Sequence, residues 1–594
     1  MKKVIALSIF LLAIIAEAEP LTLTWSGGDN GNLSEAFWSG GEEGHLTPQN
    51  GDTLVFPKGG SFANNITGLK VAGLKFSAAA TIELRGEEKI TILSGGFVRT
   101  IGTGAVSVSL PLQVGDGIAG EEASAEVVFA ATGASRKLEV SGPISGSAPI
   151  SVGEANGTVI FSGDNTFTGK LSVTNGLFEA KGKNALGLGE TEKAYFKTGD
   201  GSTGAKMRFV GVTVPMPVSA KAGNVAQELK FGYVKDPLTG NAAPTKFTKD
   251  FIVDGAPQLY LENWSAATFA GKFQTSSDVQ GRVEIGGTLT FKGEGSNVRG
   301  YIVTAVGVAP PHANSKWPGT VVFSSPLTFK TVTDWHGFGV TLYGDYGVVK
   351  TTVENAFPHK EYGWNPLRFN KTTSGTPVKY AVLDMNGKSQ TFSYIRDDAK
   401  QASNVIKSDS APCVLRLMQN WSAIRAEKVN LEPDEKPQLK LFNPDFFGEI
   451  RGKVSVSVEG SDTCFFSGPN TSTGSFSLTN EAYCGFTETG VWKGKEFFVS
   501  AGSTLVVSNT AALLATSKIT LSDDSDQETK SSILLGEGNY TADSMSVDGE
   551  LLYRGTWGSS QSNARFKDDV HFKGPGVLTL NKGAPFPGLR LIVK

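Results

Sequence analysis

Charge is scarce in this chain. Of 594 residues, 55 are Lys or Arg and 58 are Asp or Glu, for a formal net charge of -3. Nucleic-acid binding needs Lys and Arg clustered to neutralise phosphates, so no such partner is expected. Histidine and cysteine are scarcer still, at five and three. That leaves little material for a His/Cys metal site, and no cofactor, metal, catalytic or cofactor-binding residue is nominated. Three Cys also fall short of the density that staples small secreted domains. Cys464 and Cys484 lie twenty residues apart and could meet on adjacent turns of a repetitive fold, leaving Cys413 over. Buried free thiols are the favoured reading. Helical periodicity over twelve residues is missing beyond the N-terminus, as is any later run of the ~20 apolar residues that a membrane-spanning helix requires.

Glycine is what the chain has in excess. Its 72 Gly make up about 12% of the residues, against an average near 7%. No G-X-Y period accompanies them and 39% of the residues are apolar, which excludes collagen and general disorder. At the N-terminus, Lys2 and Lys3 precede an apolar stretch from Val4 to Ile15, and Ala16-Glu17-Ala18 follows. This reads as a secretory signal cut after Ala18, with an N-terminal membrane anchor as the competing reading.

Two segments repeat one another. Thr158 to Asn175 reads TVIFSGDNTFTGKLSVTN and Thr463 to Asn480 reads TCFFSGPNTSTGSFSLTN. Eleven of eighteen positions are identical without a gap, across 305 residues. A weaker copy, ATFAGKFQTS, runs from Ala267 to Ser276. The grammar is a short strand (Val159-Ile160-Phe161), a turn (Ser162-Gly163-Asp164-Asn165), a bend or close backbone approach at Gly169, and a period of two through Leu171 and Val173. Short strands such as Thr53–Phe56, Gly287–Phe291 and Ser503–Val507 recur between Gly and Asn punctuation. The expected class is all-β.

A string of β-sandwich domains would show Pro-rich or charged linkers near every hundredth residue. Asp434-Glu435-Lys436-Pro437 and Asp523 to Lys530 are the best candidates, and both read as surface loops. The preferred expectation is a right-handed, single-stranded parallel β-helix, a solenoid with an N-terminal cap and inserted loops. At ~20–25 residues per coil it would hold roughly two dozen coils, in a rod on the order of 100 Å long.

These residues resemble the autotransporter-associated β-strand repeat of bacterial surface-protein passengers. Ser162 to Gly169 and Ser467 to Gly474 carry its SG-x-N-T core, with Pro469 and Ser472 departing from the commoner choices. Flanking stretches are similar too: Thr24 to Phe56 at the opening, Asn184-Ala185-Leu186-Gly187, and Leu383 to Gly387 followed by Gln390-Thr391. The closing stretch from Val547 to Leu580 looks like a terminal coil of barrel-less secreted members. The resemblance implies a right-handed β-helical passenger, exported and surface-displayed or shed. The tail Leu591-Ile592-Val593-Lys594 is unlike the aromatic end of a translocator barrel, so export by another route is expected.

Acids and aromatics are the residues that could carry chemistry. Glycoside hydrolysis needs two carboxyl groups about 5–9.5 Å apart. Asp397-Asp398, Asp523-Asp524 and Asp568-Asp569 are adjacent pairs. Neighbours on a strand point to opposite faces, so such a pair meets one substrate only at a turn or bulge, and solvated turn acids are the favoured reading. No nucleophile-elbow, P-loop, dinucleotide or zincin motif is present. His336 and His359 flank an aromatic-rich stretch with Trp335, Phe338, Tyr343, Tyr346, Tyr362 and Trp364. A glycan-binding face and a packed cover loop both fit it, the cover loop better. Trp25 and Trp38 suit a capping plug better than a lectin site, because a solenoid must cover its first coil.

The expected layout is a signal peptide over 1–18, a cap and first coils over 19–60, and β-helix over 61–300 with repeat copies near 158–187 and 267–295. An aromatic-rich insert over 301–375 follows, then β-helix over 376–594 with the copy at 463–480 and a terminal coil at 547–580. The expected role is a non-enzymatic, adhesin-like or structural scaffold, secreted or at the cell surface or outer membrane. Its partners would be glycans or host/cell-surface ligands, with no transmembrane segment in the mature chain and the oligomeric state open. The alternative is a polysaccharide-binding or polysaccharide-degrading β-helical enzyme.

Overall fold

The computed structural model describes residues 21–41, 45–115, 125–153, 156–182, 184–188, 194–197, 205–221, 227–231, 244–254, 258–263, 266–275, 280–285, 288–296, 302–306, 320–326, 340–357, 366–370, 380–397, 403–418, 445–460, 463–487, 489–525 and 528–585. Among these residues every regular element is a strand, and the chain is all-β. Two compact units are delimited, residues 1–169 and 170–594, with the division inside the first repeated segment.

Apolar residues alternate with polar ones along these strands, so one face of each is dry. Lys137–Val140 buries Leu138 and Val140, for example, and turns Lys137 outward. Pairing is predominantly parallel. In residues 1–169, Asn30–Asn32, Gly60–Ala63, Ile82–Arg85, Val106–Val108, Lys137–Val140 and Thr158–Phe161 form one parallel ladder. In a second, Thr22–Trp25, Thr53–Phe56, Lys70–Phe76 and Ile90–Thr100 pair in sequence, with Leu54 opposite Leu23 and Phe76 opposite Phe56. Each step brings in the next stretch of chain, because a parallel partner cannot be reached by a tight hairpin. Sandwich domains would instead require antiparallel sheets.

Residues 170–594 repeat this arrangement. Val405–Met418, Glu449–Glu459, Phe476–Thr479, Glu496–Val499, Lys518–Leu521 and Ser544–Val547 pair successively in parallel. Alongside them run Asp445–Phe446, Thr463–Phe466, Tyr483–Phe486, Thr504–Val507, Ser532–Leu535 and Phe572–Lys573. Antiparallel pairs among the described strands fall near the two ends of the chain. Trp25 faces Trp38 in the first, and Gly555–Gly558 runs against Val577–Leu580 in the last.

The chain carries 36 Phe against 12 Tyr, and register sets some of them in a stack. Phe247, Phe269, Phe291 and Phe323 are successive partners across four strands, and their rings lie nearly parallel with centroids 4.8, 5.3 and 5.4 Å apart. Phe251 and Phe273 stack beside them at 5.6 Å. All six are buried. A phenol in their place would carry a hydroxyl into a dry interior and need a partner there, which accounts for the choice of Phe over Tyr.

Candidate functional site

The two repeated segments build the same corner. Ser162 N donates to Val140 O and Ser467 N to Phe446 O, each at 2.9 Å, as the chain leaves a strand. Three residues on, Asn165 and Asn470 are fully buried. Asn165 Oδ1 accepts the backbone N–H of Ile144 at 2.8 Å, and Asn470 Oδ1 that of Ile450 at 3.0 Å. Thr166 N and Thr471 N then donate to the carbonyls of those same Ile residues, at 2.8 Å each. The motif asparagine therefore satisfies a backbone donor 21 or 20 residues earlier in the chain. That is an architectural duty, since a buried N–H left unpaired is costly.

The corner glycines are required by close approach. A Cβ on Gly163 would stand 2.2 Å from Gly142 O, and one on Gly468 would stand 1.9 Å from Gly448 O. Gly169 and Gly474 press likewise on the Ala148 and Val454 carbonyls. None of the four has a positive φ, so the bend does not explain them. The third stretch, 267–276, sits differently. Phe269 closes the strand Ala266–Phe269, and Gly271 presses on Lys249 O as Gly163 presses on Gly142 O.

In the stretch Leu383 to Thr391 the backbone is likewise served. Asn386 and Gly387 both take positive φ, and the fully buried Gln390 accepts from Ala356 N while donating to Val353 O.

One pair of sequence-distant acids converges. Asp523 Oδ2 lies 3.0 Å from His571 Nε2, and Asp568 Oδ2 lies 2.7 Å from His571 Nδ1. Lys530 Nζ reaches Asp523 Oδ2 at 3.1 Å, while Ser531 gives Asp523 Oδ1 both its N–H and its Oγ–H at 2.9 Å. Asp568 Oδ1 accepts the N–H groups of Val570 and His571, closing its turn. Burial opposes ionisation of Asp523, but the bonds from His571, Ser531 and Lys530 outweigh it and hold the carboxyl far below its usual range. Burial likewise opposes charging His571, and its bonds to the two carboxylates outweigh that and raise its pKa above 6.5.

This cluster is a clamp. It ties the loop after Lys518–Leu521 to the turn before Phe572–Lys573, across 48 residues. A glycosidase pair needs one carboxyl kept protonated and both facing the sugar. Both carboxyls here are instead bonded to the His571 ring, and the Asp523 side chain is only 3% exposed.

The remaining adjacent acids do not join it. Asp569 Oδ1 accepts Ser560 N at 2.6 Å, and its pKa is lowered chiefly by that bond. Asp524 Oδ1 accepts Ser525 N. Asp397 is fully buried and accepts from Asn404 Nδ2 and Phe447 N. Asp398 lies outside the described residues, as do Trp335, His336, Phe338, His359, Tyr362 and Trp364 and the loop at 434–437. Tyr343 and Tyr346 lie on the strand Val340–Thr351, with side chains outside the described set.

Trp25 and Trp38 are buried edge-on at 5.2 Å, and their indole N–H groups donate to Gly28 O and Leu33 O. Rings so placed present no open face to a sugar. Cys413, Cys464 and Cys484 are buried free thiols.

His571, Lys530 and Ser531 belong to no motif read from the sequence. The same holds for the 2.9 Å contact of His45 Nε2 with buried Asp52 and for Glu179, which pairs with Arg208 and Lys181. The D-x-x-H spacing of Asp568 and His571 was the available signal for the clamp. Among the described residues no group of three His, Cys, Asp or Glu is placed to hold a metal ion, and no helix is long and apolar enough to cross a membrane.

Compared with protein-family models, with curated proteins and with solved structures, the chain finds no match in any of the three.

Proposed function

We propose that this chain is an exported, non-enzymatic, passenger-like protein that serves as an adhesin-like or structural scaffold, wound as a right-handed parallel β-helix. The observation that carries the reading is the shared Asn corner: Asn165 and Asn470 each satisfy a backbone N–H 21 or 20 residues earlier in the chain. Residues kept for that duty serve the regular stacking of chain on chain, which suits display better than turnover. Parallel strands joined in sequence support the winding. Glycans or host/cell-surface molecules are the partners that fit a displayed scaffold.

The test is labelling of intact cells with a membrane-impermeant amine reagent, with the culture supernatant analysed alongside. Labelled or shed chain is expected, and chain confined to the cytosol would overturn the reading. A polysaccharide-release assay on residues 19–594 addresses the degrading alternative. Polysaccharide release by the purified chain, absent from a mock preparation, would replace the scaffold with an enzyme.

A further inference from the structure

We propose that Cys464 and Cys484 are an oxidisable pair, which closes into a disulfide while the chain folds. Thr463–Phe466 and Tyr483–Phe486 pair in parallel with Cys464 directly opposite Cys484. In-register residues of parallel strands project from the same face of the sheet, so the two Sγ atoms share one side. Neighbouring strands lie ~4.7–4.9 Å apart, inside the roughly 4.4–6.8 Å that a disulfide spans between Cα atoms. Both thiols are wholly buried.

The surroundings leave each thiol one partner. Leu505 follows Cys484 in register on the next strand. The third cysteine, Cys413, sits on Val405–Met418 opposite Val454, a strand belonging to a different ladder. The pair also has a defined moment to react. Burial pushes the Cys484 thiol well up, and the thiolate is the attacking species, so exchange belongs to the interval before the strands are sealed.

The chemistry balances with a small-molecule disulfide as oxidant. One cysteine thiolate attacks its S–S bond, forming a mixed disulfide and releasing one thiolate. The second cysteine, deprotonated, then attacks the protein sulfur of that mixed disulfide, forming the Cys464–Cys484 bond and expelling the other half. Two cysteine thiols lose two electrons and two protons, and the oxidant is reduced to two thiols. The inference goes beyond the scaffold reading and does not rest on it, since the oxidant can be supplied in a tube.

The experiment refolds the reduced, denatured full-length chain in oxidised and reduced glutathione. Remaining thiols are alkylated under denaturing conditions and the chain is digested without reductant. A linked pair of peptides carrying Cys464 and Cys484, lighter by two hydrogens than the reduced pair, is expected, with Cys413 alkylated. Alkylation of all three cysteines, or any bond to Cys413, would overturn the proposal. C413S is expected to retain the link. Its loss there would count equally against the pair.

Discussion

Asn165 and Asn470 each commit a buried side-chain amide to one backbone N–H from earlier in the chain. Removing the amide leaves that N–H dry and unpaired, at about 1–3 kcal/mol. Asn470→Ala should therefore lower stability by that amount in chemical denaturation, and an effect below ~0.5 kcal/mol would reject the capping role. Gly468→Ala is expected to cost more than ~2 kcal/mol, because the new methyl meets the Gly448 carbonyl and backbone must move. The asparagine was legible as a turn residue from its place in the S-G-x-N run. Close approach was legible as one of two readings at Gly169, but the partner of Gly468 was not, because it is the backbone of Gly448, which no local pattern in 463–480 reports. The acids failed to read for a related cause. Adjacency pointed to Asp523 with Asp524 and to Asp568 with Asp569, whereas folding sets Asp523 and Asp568 on the two nitrogens of one imidazole.

At the scale of elements, that imidazole fastens the loop after one strand to the turn before another, and its strength follows from both partners' titrations. His571 has its pKa raised in the fold, so its contribution is full below 6.5 and is lost as pH rises through the raised value. Asp523 has its pKa lowered, so its contribution is full above 3.8 and is lost as pH falls through the depressed value. The clamp is complete between those limits. His571→Gln should lower the melting temperature at pH 6, with the deficit shrinking toward pH 9. A deficit that stays constant over that range would deny the charge-assisted bond. The Phe stack behaves otherwise, having no charge to titrate. Phe269 lies between Phe247 and Phe291, and Phe269→Ala should cost about 3–5 kcal/mol at any pH between 6 and 9. Phe498, 43% exposed on its strand, should change stability by no more than ~0.5 kcal/mol when made Ala. The all-β class was legible because strand length and period both derive from one dry face. Which Phe meets which was not, since register depends on the length of every intervening loop.

At the scale of the whole molecule, stability in such an arrangement is a sum over neighbouring strands, and an injury is felt mainly where it is made. Two compact units, residues 1–169 and 170–594, turn this into a calorimetric expectation. Phe56 stacks on Phe76 at 5.3 Å within the first unit. Phe56→Ala should remove about 3–5 kcal/mol there. For a unit of that size each kcal/mol displaces the melting temperature by ~2–4 °C, so one transition should fall by roughly 6–20 °C. Phe269→Ala should displace the other transition and leave the first in place. If either substitution lowers both transitions together, the chain melts as one cooperative body and the additive account fails. The division itself was hidden from sequence reading, because it falls between Gly169 and Lys170, inside a segment whose copy at 463–480 lies wholly within one unit. A repeated corner can thus serve at a boundary or within a unit. Its residues answer only to the strand they leave and the backbone they meet next, which is why the same eighteen-residue pattern predicts the local bond and not the unit that will contain it.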